Sequence, residues 1–231
     1  MDEKEVKRTL LDIYRRLYTE YGLQHWWPAR EPFEVIVGAI LTQSTAWANV
    51  EKAIVNLKSV GKLSPQSLRS LPKGGLAYLI HPCGYYNVKA RRLKAFAEWF
   101  GEEYDDKLET MFSRDTGSLR RELLGIYGIG EETADSIMLY AGNKPVFVID
   151  AYTRRIIDRL GLTPPDRSYA GYQSLFTSNL PPDAALFNEY HALLVRHGKE
   201  VCRKNPLCRD CCLNAPDKDI SDGLFPCSAI N

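Results

Sequence analysis

The chain has 231 residues, 45% of them hydrophobic, and its 30 basic and 29 acidic side chains leave a net charge of +1. That composition supports one large core or two modest ones, excludes a disordered polyelectrolyte, and leaves nucleic-acid binding to depend on a local basic patch rather than on overall charge. No apolar run approaches the roughly 18 residues a membrane span needs, and the acidic, lysine-rich start lacks a signal peptide's apolar centre, so a soluble, cytoplasmic protein with no membrane partner is expected; a monomer is assumed.

The first element is an amphipathic helix over Glu5–Tyr21, with apolar side chains at Val6, Leu10, Ile13, Tyr14, Leu17 and Tyr21, ended by Gly22. A loop, Leu23-Gln24-His25-Trp26-Trp27-Pro28, follows. Two adjacent tryptophans there either plug a seam between helical layers or line a pocket for an extruded base, whose π-face stacks on indole and does so better when the base is cationic. Pro32 restarts helix through Phe33 to Gln43, a run so apolar that it must be buried on most sides. Trp47 opens the next helix, completed by Val50–Leu57, and is placed to face the same pocket as Trp26 and Trp27. Leu63–Leu79 reads as a short helix, capped by Ser64 with Pro65 in its first position, and then a Pro-Gly-rich turn. After Gly84 the stretch Tyr85-Tyr86-Asn87-Val88 leads into Lys89, Arg91, Arg92 and Lys94, with Leu93, Phe96, Ala97 and Phe100 on the opposite side. This most basic segment is either a solvated face or a second phosphate contact, with Lys89 a DNA-binding candidate.

Ser118–Leu124 is helical in pattern, and Gly128-Ile129-Gly130 turns the chain into the helix that begins at Glu131 and Glu132. Glycine tolerates positive φ and close backbone approach, and the first amides of the following helix point outward, where a phosphate suits them. The unit reads as a helix-hairpin-helix, a grip on the DNA backbone that ignores sequence. The apolar run Val146–Ile149 then ends at Asp150, which opens another helix. Asp150 is either a plain N-cap or a partly desolvated catalytic carboxylate that the helix dipole helps keep ionised. Tyr152–Leu162, Tyr169–Asn179 and Ala184–Gly198 complete the helices. Val146–Ile149 alone has strand character, and nothing is there for it to pair with, so the fold class is all-α.

Five of the six cysteines crowd the last segment: Cys202, Cys208, Cys211, Cys212 and Cys227. In an intracellular chain such clustering favours a metal or a cluster over disulfides, and spacing alone leaves zinc and iron–sulfur open.

The hairpin Gly128-Ile129-Gly130 with Asp150 beyond it resembles the endonuclease III superfamily of DNA glycosylases, also called the helix-hairpin-helix-GPD superfamily. Trp26-Trp27-Pro28, Leu41-Thr42-Gln43, Gly84-Tyr85-Tyr86-Asn87-Val88-Lys89-Ala90-Arg91-Arg92-Leu93, and Glu132 with Ala134-Asp135 make it most similar to the 3-methyladenine DNA glycosylase III group, over roughly residues 24 to 199. The resemblance implies two helical domains with DNA in the cleft between them. One, residues 30–142, is a six-helix barrel-like domain carrying the hairpin; the other, residues 1–29 and 143–231, is a helical domain carrying a [4Fe-4S] cluster. It implies that Gln43 fills the hole left by the extruded base, where the bland alternative is that Gln43 merely starts a turn. Gly128, Ile129 and Gly130 would hold the backbone. Trp26, Trp27 and Trp47 would stack on the cationic base, with Lys199 of His197-Gly198-Lys199 near the pocket.

Bifunctional members of the superfamily carry a lysine nucleophile where this chain has Glu132, which cannot form a Schiff base. The resemblance therefore implies a monofunctional enzyme without AP-lyase activity, acting on double-stranded DNA with a damaged, alkylated purine. Asp150 would assist the attack of water, with Glu132 helping electrostatically or not at all. Other bases, such as mismatched adenine, uracil, thymine or hypoxanthine, are the alternative substrates, and a catalytically silent DNA-structure binder is the alternative class. Endonuclease III relatives place a four-cysteine [4Fe-4S] loop directly after a helix ending in His-Gly, which selects Cys202, Cys208, Cys211 and Cys227 as ligands. The first two intervals nearly match that pattern, the last is longer, and Cys212 is the fallback.

Overall fold

The computed structural model describes residues 2–29 and 31–214. Among these residues there are twelve α-helices and no strand. The protein is all-α. The chain divides into two compact units, one built from residues up to Trp26 and from Pro145 onward, the other from Trp27–Lys144.

In the first unit, α1 (Glu3–Tyr21) starts at Asp2, whose carboxylate accepts from Glu5 N at 2.8 Å, and stops at Gly22 with φ 65°. Its Leu10, Ile13 and Leu17, spaced at three and four, are fully buried. α10 (Ala151–Arg159), α11 (Tyr169–Thr177) and α12 (Ala184–Glu200) complete this unit, and α12 packs against both α1 and α10. Phe147, in the extended stretch before α10, stacks on Phe176 of α11 at 3.8 Å and meets Phe187 and Tyr190 of α12 edge-on. Tyr190, wholly buried, satisfies its hydroxyl by donating to Leu10 O at 2.8 Å.

The second unit is built around α2 (Pro32–Leu41), in which every residue from Phe33 to Leu41 is buried. Burial of each such aliphatic side chain stabilises by roughly 1.5–3 kcal/mol. α3 (Trp47–Ser59), α6 (Tyr86–Tyr104) and α9 (Glu131–Ser136) pack around it. α4 (Pro65–Ser70) and α5 (Lys73–Leu79) lean on α6, and α7 (Leu108–Ser113) and α8 (Thr116–Gly125) lead to α9.

Residues 63–79 form two short helices rather than one helix and a turn. Ser64 caps α4 as expected, its Oγ accepting from Ser67 N at 3.2 Å, but the break falls only at Leu71-Pro72. Gly74 and Gly75 lie inside α5, which is held in helical form by Leu76 and Ala77 buried against the rest of the unit. α2 also stops short of Gln43: Thr42 to Ser44 form a turn, with Ser44 at φ 54°.

Candidate functional site

Two groups of polar and aromatic side chains stand out, one in each unit. In the Trp27–Lys144 unit, the turn that ends α2 directs Gln43 toward the α8–α9 hairpin. Its Nε2 donates to Gly128 O at 3.2 Å and to Thr133 Oγ1 at 3.0 Å, and its Oε1 accepts from Arg92 Nη1. Gly128 has φ 79°, and a Cβ there would stand 2.4 Å from Arg92 Cγ, so both backbone conformation and the neighbouring arginine require glycine. Gly130, by contrast, has φ −96° and nothing within 4 Å of its missing Cβ; it is the N-cap of α9, and its surroundings are open. Ile129 is buried and pins the hairpin from below. A bidentate pair braces the two hairpin helices: Arg120 donates from Nε to Asp135 Oδ1 at 2.7 Å and from Nη2 to Oδ2 at 3.1 Å, with Asp135 fully buried. Glu132 is exposed on the first turn of α9.

The helix begun by α9 widens at Ile137–Ala141 into a π-turn, and Tyr140 sits on it. Its ring lies 5.2 Å from that of Trp27, which meets Trp47 edge-on at 5.0 Å. Gly38 makes this possible, since a Cβ there would press on the Trp27 indole at 3.0 Å. Trp47 Nε1 donates to Glu51 Oε1 at 2.8 Å. Trp27 and Trp47 thus form a three-ring cluster with Tyr140. Trp26 is half-buried and closes the N-terminal segment of the other unit.

The basic segment of α6 corrects one expectation. Lys89 is fully buried and donates from Nζ to Cys83 O at 2.7 Å, and burial pushes its pKa down. It cannot reach a phosphate from there. Lys94 is likewise buried, with Nζ on the carbonyls of Leu68 and Arg69. Of the expected basic face, Arg91 lies over the Tyr127 ring at 3.9 Å and Arg92 holds Gln43.

In the other unit, Asp150 is the N-cap of α10, its Oδ1 accepting from Thr153 N at 2.7 Å. Its Oδ2 lies 3.9 Å from Nε2 of His191 on α12, and the two side chains are 13% and 8% exposed. Gly198 sets the spacing of the two helices: a Cβ there would collide with Tyr152 of α10 at 2.6 Å. Arg155 of α10 ties the same end, donating to Gly198 O at 2.9 Å and Cys202 O at 2.8 Å. Lys199 is exposed, its Nζ 6.0 Å from the Tyr152 ring centroid.

Beyond α12, Arg159 donates to Cys202 Sγ at 3.2 Å and to the carbonyls of Arg203 and Lys204. His197 Nε2 is 3.5 Å from Cys211 Sγ and its Nδ1 2.9 Å from Tyr21 Oη; burial pushes its pKa down to about 4, and burial pushes the Cys212 thiol up to about 12. Cys202, Cys208, Cys211 and Cys212 offer the soft thiol donors that iron–sulfur clusters use, on a loop anchored by two arginines. Among the described residues no three His, Cys, Asp or Glu side chains gather closely enough to hold a metal ion, and Cys227 lies outside the described residues.

Sequence reasoning missed three residues here. The sequence places Arg92 on a basic stretch that is either a solvated face or a phosphate contact, whereas its partner is Gln43. Tyr140 and His191 carried no signal beyond aromatic and imidazole character on apolar helices.

Residues 37–182 match the family of HhH-GPD superfamily base excision DNA repair proteins. A protein of Methanocaldococcus jannaschii that carries the name DNA repair glycosylase is 47% identical over 200 residues, covering 86% of this chain and 91% of the relative. Endonuclease III of Thermotoga maritima is 30% identical over 188 residues, covering 79% of this chain and 81% of the relative. Among solved structures, the 3-methyladenine DNA glycosylase (MagIII) of H. pylori bound to 1,N6-ethenoadenine has a TM-score of 0.68 at 26% identity, covering 87% of this chain and 98% of that one. A trapped endonuclease III–DNA covalent intermediate shares the fold with a TM-score of 0.75 at 21% identity, covering 91% of this chain and 93% of that one.

Proposed function

The chain belongs to the HhH-GPD superfamily of base excision DNA repair proteins, a DNA glycosylase of the endonuclease III type, and on that premise we propose that it is a monofunctional glycosylase that removes alkylated purines from double-stranded DNA. The observation that carries the reading is the ring cluster of Trp27, Trp47 and Tyr140, seated on α2 where Gly38 leaves room for indole. Electron-rich rings favour a cationic base over a neutral one, and alkylation at a ring nitrogen supplies that charge. The likeness to a protein named 3-methyladenine DNA glycosylase supports the same substrate class.

In the proposed reaction the extruded nucleotide's N-glycosidic bond breaks, its electron pair leaving with the already cationic base, which departs neutral. Water attacks C1′ of the resulting oxocarbenium-like sugar, and Asp150 stabilises that charge and accepts the water's proton. The cap bond from Thr153 N occupies Oδ1 and leaves Oδ2 for this task. Trp26 and Lys199 are assigned to the pocket margin, Gln43 to the hole in the duplex, and Gly128, Ile129 and Gly130 to the phosphate backbone. Glu132, exposed at the start of α9, offers no nucleophile for a Schiff base, so an abasic site is the final product. Cys202, Cys208 and Cys211, with Cys227 as fourth ligand and Cys212 as the fallback, would hold a [4Fe-4S] cluster whose contribution is to fix the loop after α12.

The test is release of free bases from methylated duplex DNA, resolved by chromatography, followed by a check for strand breaks before and after hot alkali. Release of 3-methyladenine with breaks only after alkali supports the reading. Release of uracil, hypoxanthine or a mismatched base in place of methylated purines moves the substrate class, and breaks without alkali overturn the monofunctional assignment.

A further inference from the structure

We propose that His191 is a positioning residue for Asp150, holding the carboxylate oxygen that the helix cap leaves over; this rests on the assignment of Asp150 above. The carboxylate is pinned on one side only by its own helix, where Oδ1 accepts from Thr153 N at 2.7 Å. On the other side stands Nε2 of His191, 3.9 Å from Oδ2, in a setting where the acid is 13% and the imidazole 8% exposed. Several contacts fix that placement. Gly198 lets Tyr152 press against α12, Arg155 fastens α10 to the end of α12, and the imidazole sits edge-on to the Phe147 ring. The separation exceeds a hydrogen bond, so the imidazole limits the rotation of the carboxylate without taking up its charge. A closing of about 1 Å makes the hydrogen bond once the site is engaged.

The state of the imidazole matters to this role. The charged groups acting on it are Asp150 on α10 and Lys199 on α12 itself. Burial lowers the His191 pKa most, Lys199 lowers it further, and Asp150 opposes both. The imidazole is therefore neutral near pH 7 and sets no positive charge beside Asp150. Protonation below the lowered pKa would pair the two charges and quench Asp150, which gives base release an acid limb belonging to His191.

The experiment compares the full-length wild type with His191→Phe, His191→Gln and Asp150→Asn on a duplex carrying one methylated purine. Single-turnover rate and DNA affinity are read across the acid and neutral range, and imidazole titration is followed by NMR. Phe is expected to lower the rate about tenfold or more while affinity stays within about twofold. Gln, which presents a side-chain N–H at the same reach, is expected to restore the rate to within a few-fold and to abolish the histidine limb. In Asp150→Asn the His191 titration moves further down, because the carboxylate that raised it is gone, and this readout holds even on a chain that releases no base. An unchanged rate in His191→Phe, an equal loss in Phe and Gln, or an unmoved titration in Asp150→Asn overturns the positioning role. If Asp150→Asn itself releases base like the wild type, the assignment of Asp150 fails instead.

Discussion

Gln43 is held by partners from three separate places in its unit, Arg92 on α6, Gly128 in the hairpin and Thr133 on α9, whereas Asp150 is held by an amide three residues along its own helix. The first arrangement welds elements distant in sequence into one rigid surface around the hairpin. The second is a local device that works wherever the helix goes and needs a neighbour, His191, only to settle its free oxygen. Gln43 is thus fixed by tertiary structure and Asp150 by secondary structure.

The sharpest way to test that contrast is at Asp150. Asparagine keeps the capping oxygen, so Asp150→Asn should lose about 10²–10⁴ in base-release rate with the unfolding midpoint little changed. Alanine should lose the same rate and also about 1 kcal/mol of stability, read from urea unfolding. Next comes Arg92. Arg92→Met keeps the stem against Gly128 but removes the charged bond to Gln43, and should cost about 1.5–3 kcal/mol of stability together with DNA affinity. At the hairpin the two glycines should part company. Gly128→Ala should cost about 1–2 kcal/mol from its left-handed backbone alone and more as Arg92 is displaced, while Gly130→Ala, with negative φ and open space, should stay within about 1 kcal/mol of wild type. Equal effects at both positions would mean that neither the left-handed backbone nor Arg92 constrains Gly128.

The smallest effect lies on α12, at Glu189, which accepts from Gln24 N at 2.7 Å and whose pKa is raised by burial. A carboxyl with a folded pKa above its unfolded value favours the fold while protonated and gives that advantage up as pH rises through the folded pKa. Glu189→Gln should therefore gain on the wild type in thermal melts at neutral pH and not at pH values below the carboxyl range, while leaving base release intact.

The same local-versus-distant contrast explains what could be read from the chain. Leu10, Ile13 and Leu17 recur at helical spacing and mark α1 without help, and Ser64-Pro65 writes the start of α4 in two residues. Asp150 could be read because a cap is local. Lys89 and Lys94 could not: a pattern of polar and apolar residues counts lysine as outward, yet a long aliphatic stem lets the ammonium cross the core and end on a carbonyl. Gly74-Gly75 suggested a turn because propensity is local, and packing against α6 overrode it. His191 and Tyr140 depend on which helices meet, and that meeting is decided by missing Cβ atoms at Gly198 and Gly38, whose partners are not written beside them.

Because Thr153 N binds Asp150 Oδ1, turning that side chain away frays the first turn of α10. Groups poised for chemistry commonly weaken the fold that carries them, so stability and activity pull against each other under selection. On the role proposed for Asp150, at position 150 they pull together. A lineage that had lost the reaction would still be selected to keep aspartate, or another capping residue, at this place. An aspartate found there in a distant descendant would then testify to folding as much as to repair, and only the company it keeps on α12 would tell the two histories apart.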